Sequence, residues 1–146
     1  MLTTDNANLD SYPMLKSGIL NPHILSLIAR VRHTNRLVIC DWAFPFWPEI
    51  ETVDISLTHG VPTVQQVFDL IAPNFEIGKI WQAEQFLQVN DQETIDSFNN
   101  TLKSCPDAEV IRMDHDQFKQ DVVKGAIGII RTADATPYAN LVLESA

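Results

Sequence analysis

Apolar side chains in the first third of the chain recur with a helical period. One group follows the i, i+3, i+4, i+7 spacing of an amphipathic helix: Ile24, Leu27, Ile28 and Val31. Asn21 and Pro22 precede it, a pairing that favours helix initiation because Asn can cap backbone N–H groups and Pro in the first turn needs no partner. The pattern predicts a helix from about residue 22 to residue 31 or 32.

Further helices are predicted downstream. Thr63 and Gln66 have the spacing of a capping box, and an apolar stripe follows them up to Pro73. A helix is predicted over about residues 92–103, with these side chains facing inward: Ile95, Phe98 and Leu102. Asp114 can cap another small helix.

Runs with strand-like patterns lie between these helices. Residues 37–40 form an unbroken apolar run, which is typical of a strand buried on both faces, whereas Val53, Ile55 and Leu57 alternate with polar residues. The other predicted strands cover residues 75–81, 109–112, 126–130 and 141–143. Because strands and helices alternate, the sequence predicts an α/β fold, a single-domain sheet with helices on its faces.

The domain boundaries follow from polarity and length. Residues 1–17 are polar and weakly periodic, so we expect a loosely ordered N-terminal arm before a single domain over residues 18–146. The first residues are not basic and then apolar, as a signal peptide would be, and no run approaches the ~18 apolar residues of a membrane span. These features predict a cytoplasmic protein.

Composition then removes several classes of function. A net charge of −9 argues against nucleic-acid binding, which needs clustered Lys and Arg. Cys40 and Cys105 form no Cys-x-x-Cys pair, and the spacing of the four histidines is not that of a zinc site, so we expect no metal. Phosphate-binding glycine loops and serine nucleophile elbows are missing from the sequence. The remaining expectation is proton-transfer chemistry on a small molecule without a cofactor.

Residues 33–41 carry the strongest chemical signal. His33 follows the first predicted helix, and Asp41 follows the first predicted strand, at the edge where open α/β sheets bind ligands. We expect His33 to meet Asp41, since a carboxylate can orient an imidazole for acid–base work near neutral pH. The alternative is that His33 interacts with the dipole of its helix and Asp41 caps a loop.

Two other stretches are candidates for ligand contact. Tyr138 and Asn140 offer a phenol and an amide that suit hydroxyl recognition, although a Tyr near the start of a strand is as often simple packing. The loop over residues 42–48 carries four aromatic rings, which either stack on a ligand or pack in an interface.

The chain resembles the ribose pyranase and fucose mutarotase family in order and spacing over nearly everything after Lys16. The matching segments cover residues 18–21, 33–35, 37–41, 53–62, 83–84, 115–119, 131–132 and 137–140. The resemblance implies a cofactor-free aldose ring isomerase that interconverts pyranose, furanose or anomeric forms of a monosaccharide by general acid–base catalysis. It leans toward D-ribose, because the ribose branch usually has a His at the position of His115 and matches Val61-Pro62.

The resemblance also implies roles for individual residues. His33 would be the proton donor, and four side chains would bind the sugar: Asp41, His115, Tyr138 and Asn140. It further implies a homo-oligomeric ring whose sites lie between subunits, with His33 contributed by the neighbour.

Two local differences from the family leave alternatives open. This chain has Ala133-Asp134 where the family commonly has Gly-Glu, and Trp42 where the family has a small residue. The alternatives are a non-catalytic monosaccharide-binding or sugar-uptake accessory protein, and a mutarotase for fucose or another sugar.

Overall fold

The computed structural model describes residues 14–146. Its helices are α1 (Pro22–Ala29), α2 (Val64–Ile71), α3 (Gln85–Val89), α4 (Gln92–Leu102) and α5 (His115–Gln117). Its strands are β1 (Arg36–Cys40), β2 (Thr52–Asp54), β3 (Ile77–Ala83), β4 (Glu109–Met113), β5 (Gly128–Arg131) and β6 (Leu141–Ser145). Most of the predicted N-terminal arm, residues 1–13, lies outside the described residues.

The strands form one mixed sheet in the order β2-β5-β1-β6-β3-β4. Strands β2, β5 and β1 run parallel to one another, as do β3 and β4, whereas β6 runs antiparallel to both of its neighbours. Ile39 pairs with Leu141 in this arrangement. The carboxyl end of β1 therefore lies beside the amino end of β6.

Helices and loops cover both faces of the sheet, which confirms the predicted α/β architecture. Leu37 and Ile39 of β1 belong to the core on the side of α1, α2 and α4. Val38 and Cys40 belong to a second core beneath the segment that follows β4. Burial raises the pKa of the Cys40 thiol to about 12, as expected for a packed core cysteine. The apolar run of β1 is thus buried on both faces, as its sequence predicts.

Local capping explains where two helices begin. The side chain of Asn21 accepts hydrogen bonds from the backbone N–H groups of His23 and Ile24 at the start of α1. At the start of α2, Thr63 and Gln66 form the complete reciprocal capping box. Gly128 allows α1 to pack closely on β5, because a Cβ at this position would overlap a methyl group of Leu27.

Several boundaries differ from the prediction. Helix α1 ends at Ala29, two or three residues early. Strand β2 ends at Asp54, and Leu57 is 81% exposed, so its apparent alternation does not continue a strand. Strand β3 begins at Ile77, after a 3₁₀ turn that includes Pro73, rather than at Phe75.

The segment after β4 combines three short helical forms. Asp114 caps α5 as predicted, and a π-helical turn (Phe118–Val122) and a 3₁₀ turn (Val123–Gly125) continue from it. Every helix within residues 14–146 is too short or too polar to cross a bilayer.

Candidate active site

A cleft of about 440 Å³ opens at the carboxyl end of β1. Three parts of the chain line it: the loop after β1, the start of α5, and the turn that leads into β6. The lining residues are Asp41, Trp42, Ala43, Phe44, Pro45, His115, Asp134, Ala135, Thr136, Pro137, Tyr138 and Asn140. The structure therefore brings together four of the five residues predicted for the site: Asp41, His115, Tyr138 and Asn140. His33 does not line the cleft.

Asp41 and Asn140 are joined directly across the junction of β1 and β6. The backbone N–H of Asp41 donates a 2.7 Å hydrogen bond to Oδ1 of Asn140, which is only 2% exposed. The antiparallel pairing of the two strands produces this contact, because it places residue 41 opposite the residues that precede β6. Asn140 thus fixes the backbone from which the Asp41 side chain projects.

The Asp41 carboxyl group is buried but incompletely paired. The residue is 6% exposed, and its Oδ1 atom has no hydrogen-bond partner in the protein. Burial raises the pKa of Asp41 to about 6, with a smaller contribution from the carboxylate of Asp134, while backbone N–H groups such as that of Ala139 oppose the rise. A carboxyl group with this pKa can give or take a proton near neutral pH.

His115 presents a second unpaired polar atom. The side chain of Gln85 accepts from the backbone N–H of His115 at 2.9 Å and donates to Asp114 at 2.7 Å, which fixes the start of α5. The imidazole meets the ring of Tyr138 edge-on, with centroids 4.9 Å apart, and stacks on Phe118. Its Nε2 atom is buried without a partner.

Burial is the main reason that the pKa of His115 lies below its ordinary value, and the ammonium of Lys119 lowers it further. At neutral pH the ring is therefore uncharged, with one nitrogen able to donate and the other able to accept a hydrogen bond.

Arg131, at the end of β5, holds the loop after β1. Its guanidinium donates to the backbone carbonyls of Asp41, Trp42 and Pro45 at 3.4, 3.0 and 3.2 Å. Because these bonds tie three points of an irregular segment to one rigid group, the loop is shaped by β5 rather than by its own secondary structure.

Asp134 organises the opposite wall. This carboxylate is 5% exposed and accepts from the backbone N–H groups of Val64 and Thr136, each at 2.9 Å. Its backbone carbonyl also accepts from the N–H of Trp42 at 2.9 Å. Asp134 therefore links the start of α2 to the loop after β1 and to the turn that leads into β6.

Tyr138 is placed by a strained turn that α3 anchors. It has a positive φ of 54°, which is uncommon for a residue with a side chain. Nδ2 of Asn90, at the end of α3, donates to the carbonyl of Pro137 at 2.9 Å. Because Gln85 begins the same helix, α3 positions both His115 and Tyr138.

His33 lies elsewhere in the chain. It is exposed in the turn before β1, whereas Asp41 follows the last residue of β1. The five residues of this strand alone span roughly 16 Å. The expectation that His33 meets Asp41 within one chain is therefore wrong, because an extended strand separates the residues at its two ends.

Four residues that shape the cleft were not singled out as site residues from the sequence: Gln85, Asn90, Arg131 and Asp134. They act through backbone groups of residues distant in sequence, so no spacing rule reveals them. Within residues 14–146, no His, Cys, Asp or Glu side chains are clustered as metal ligands would be.

Comparison with known proteins gives consistent matches over the described region. Residues 14–146 match the model of the RbsD / FucU transport protein family. D-ribose pyranase of Bacillus pumilus is 35% identical over 132 residues, which cover 90% of this chain and 97% of that protein. D-ribose pyranase of Geobacillus kaustophilus is 37% identical over 132 residues, 90% of this chain and 93% of that protein.

Solved structures agree in fold. Bacillus subtilis RbsD complexed with D-ribose matches with a TM-score of 0.79 and 31% identity, over 90% of this chain and 97% of that one. The fucose mutarotase of Streptococcus pneumoniae in complex with L-fucose matches with a TM-score of 0.69 and 14% identity, over 86% and 91% of the two chains.

Proposed function

Because the chain belongs to the RbsD / FucU transport protein family, we propose that it is a cofactor-free aldose ring isomerase acting on D-ribose. One observation carries the proposal: a single cleft presents two buried, unpaired polar atoms, Oδ1 of Asp41 and Nε2 of His115. Buried polar groups without partners are costly, and the hydroxyl groups of a sugar would satisfy both. The curated relatives above are named D-ribose pyranase, which supports the choice of sugar.

Ring isomerisation couples proton transfer to the breaking and re-forming of one C–O bond at the anomeric carbon. The anomeric hydroxyl loses a proton while the ring oxygen gains one, and the bond between the anomeric carbon and the ring oxygen breaks to give an aldehyde. Another hydroxyl then loses its proton and attacks the aldehyde carbon while the aldehyde oxygen gains a proton, which closes the ring as a pyranose or furanose. Groups that titrate near neutral pH serve this reaction in both directions, and positioned acid–base groups contribute on the order of 10²–10⁴-fold in rate. No bond to the protein forms in this scheme.

In our proposal His33 is the proton donor and comes from a neighbouring subunit. Its exposure and its position at the other end of β1 make it available to another copy of the chain. Asp41, Tyr138 and Asn140 bind the sugar together with His115. The protein would then be a homo-oligomeric ring with its sites between subunits, located in the cytoplasm, with residues 18–146 as one sugar-isomerase domain.

Magnetisation-transfer NMR on D-ribose tests the activity directly. We expect the wild-type protein to accelerate pyranose–furanose exchange and His33→Ala to return it to the buffer rate. His23→Ala is the matched control, because His23 is also exposed and lies in the first turn of α1. A wild-type protein that leaves exchange at the buffer rate for ribose and fucose would refute the enzymatic proposal.

Mixing two inactive variants tests the shared site. His33→Ala and Asp41→Asn each damage one half of the proposed site. In a co-refolded mixture, some sites combine His33 from an Asp41→Asn subunit with Asp41 from a His33→Ala subunit, so part of the activity should return. Each variant refolded alone is the control. Equal inactivity of the mixture, with mixed assemblies verified by native mass spectrometry, would place His33 outside the site.

The alternative function is non-catalytic sugar binding or an accessory role in sugar uptake, favoured by the exposed Trp42 beside Asp41. It predicts saturable binding that survives His33→Ala and no rate effect from either protein. A panel containing L-fucose in the same exchange assay separates ribose isomerisation from fucose mutarotation.

A further inference from the structure

Trp42 lines the cleft and also a second depression beside it, which it shares with residues 56–59 and Ala133. It directly follows Asp41, lines the cleft and is 56% exposed, whereas Trp81 is buried and Trp47 is half-buried. An indole ring left in water forgoes the stabilisation that burial of its apolar area would bring. In this chain much of that area is exposed, on a residue that lines the cleft.

The backbone and ring contacts of Trp42 hold it in place. Its N–H donates to the carbonyl of Asp134 at 2.9 Å, and its own carbonyl accepts from Arg131 at 3.0 Å. Its ring meets the imidazole of His59 edge-on, with centroids 6.4 Å apart and an interplanar angle of 72°. The hydrogen bonds fix the backbone of Trp42 and the single ring contact restrains its indole, so the side chain loses less freedom when a ligand binds.

The aromatic ring of Trp42 is chemically suited to contact the face of a sugar ring. The carbon atoms of a pyranose carry electronegative oxygens, so the C–H groups on a ring face are polarised toward positive charge. An aromatic face is negative, and it attracts such groups while also covering apolar surface. The unpaired atoms of Asp41 and His115 provide the polar contacts for the hydroxyl groups of the same sugar.

We propose that Trp42 is a sugar-binding residue that stacks on the C–H face of the pyranose form of the aldose. The inference rests on the proposed function for the identity of the ligand. It assigns Trp42 to sugar affinity rather than to proton transfer, so its loss should raise KM and leave kcat largely unchanged.

Two substitutions separate stacking from packing between subunits. Trp42→Leu keeps an apolar side chain but removes the aromatic face, whereas Trp42→Phe keeps a smaller face. Stacking predicts that Trp42→Leu raises KM for D-ribose about tenfold and Trp42→Phe less than about threefold. Phe46→Leu is the matched control, since Phe46 is 72% exposed and does not line the cleft.

Tryptophan fluorescence supplies an independent readout. Ribose should shift the emission of the wild-type protein to shorter wavelength, because the exposed indole leaves water, and Trp42→Phe should abolish that shift. Equal KM values for the Leu and Phe variants would overturn the inference, as would a loss of affinity that accompanies dissociation of the assembly in light scattering. Either of these results could be obtained with a fully active wild-type protein, so each would overturn the stacking inference without refuting the proposed function. If the wild type shows no isomerisation, the proposed function fails, and calorimetric ribose titrations of the same variants still decide the stacking.

Discussion

Replacing Asp41 by Asn should stabilise the protein at neutral pH while damaging its site. In the folded protein the pKa of Asp41 is about 6, compared with an ordinary value of 3.8. The native state therefore holds a proton on this group that the unfolded chain has already released, and stability falls as the pH rises through this window. The difference between the two pKa values corresponds to about 3 kcal/mol.

The predicted signature is a pH-dependent difference between two proteins. Asp41→Asn cannot ionise, so its free energy of unfolding minus that of the wild type should rise by about 2 kcal/mol between pH 4 and pH 7 and then level off. Titrating groups that do not interact with Asp41 cancel in this difference. Urea denaturation at each pH gives both values, with Asp69→Asn as a control for replacing an exposed carboxylate on α2.

The result that would refute the reasoning is a difference that stays constant or falls as the pH rises. Either outcome would mean that the buried carboxyl group does not favour its protonated form. We also expect Asp41→Asn to bind ribose more weakly than the wild type, because the amide changes the donors and acceptors offered at the unpaired position. Higher stability together with lower affinity would identify Asp41 as a residue kept for function.

Substitutions at three further positions test the supports of the site and the cap of α2. Asn140→Ala should cost about 1–3 kcal/mol in urea denaturation, because it leaves the buried N–H of Asp41 unpaired. Arg131→Lys should raise KM for the sugar and accelerate amide hydrogen exchange in the loop after β1, because Lys cannot bond three carbonyls with a planar fork. Thr63→Ala should lower stability by about 1 kcal/mol without altering sugar affinity, and Thr63→Ser should restore it.

Local signals in the sequence predicted much of the fold correctly. The caps at Asn21 and Thr63 lie within three residues of the N–H groups that they bind, so the sequence alone reveals them. The buried strand β1 can be predicted in the same way, because its apolar residues are consecutive in the sequence. Strand β2 was overextended because Leu57 satisfies the alternation while pointing into solvent.

Helix α3 was not predicted because it has only five residues, too few to display a helical period. This omission affects the site, since Gln85 at the start of α3 and Asn90 just after its end hold His115 and the turn before Tyr138.

The site was predicted as a set of residues and not as an arrangement. Sequence proximity suggested that His33 meets Asp41, but a strand carries its two ends apart. Asn140 and Asp41 are 99 positions apart and yet share a hydrogen bond, because β6 runs antiparallel to β1. The strand order could not be read from the chain, so neither contact could be placed correctly.

The position of β6 also determines when the cleft comes into being during folding. Strands β1 and β3 pair with β6 and not with each other, so the two parallel parts of the sheet are united when β6 inserts between them. That event closes contacts between distant parts of the chain, the kind that form slowly. Asn140 reaches Asp41 in the same step. A chain in which only the two parallel parts had formed would therefore lack the proposed sugar site, so ligand binding would report on the completed sheet.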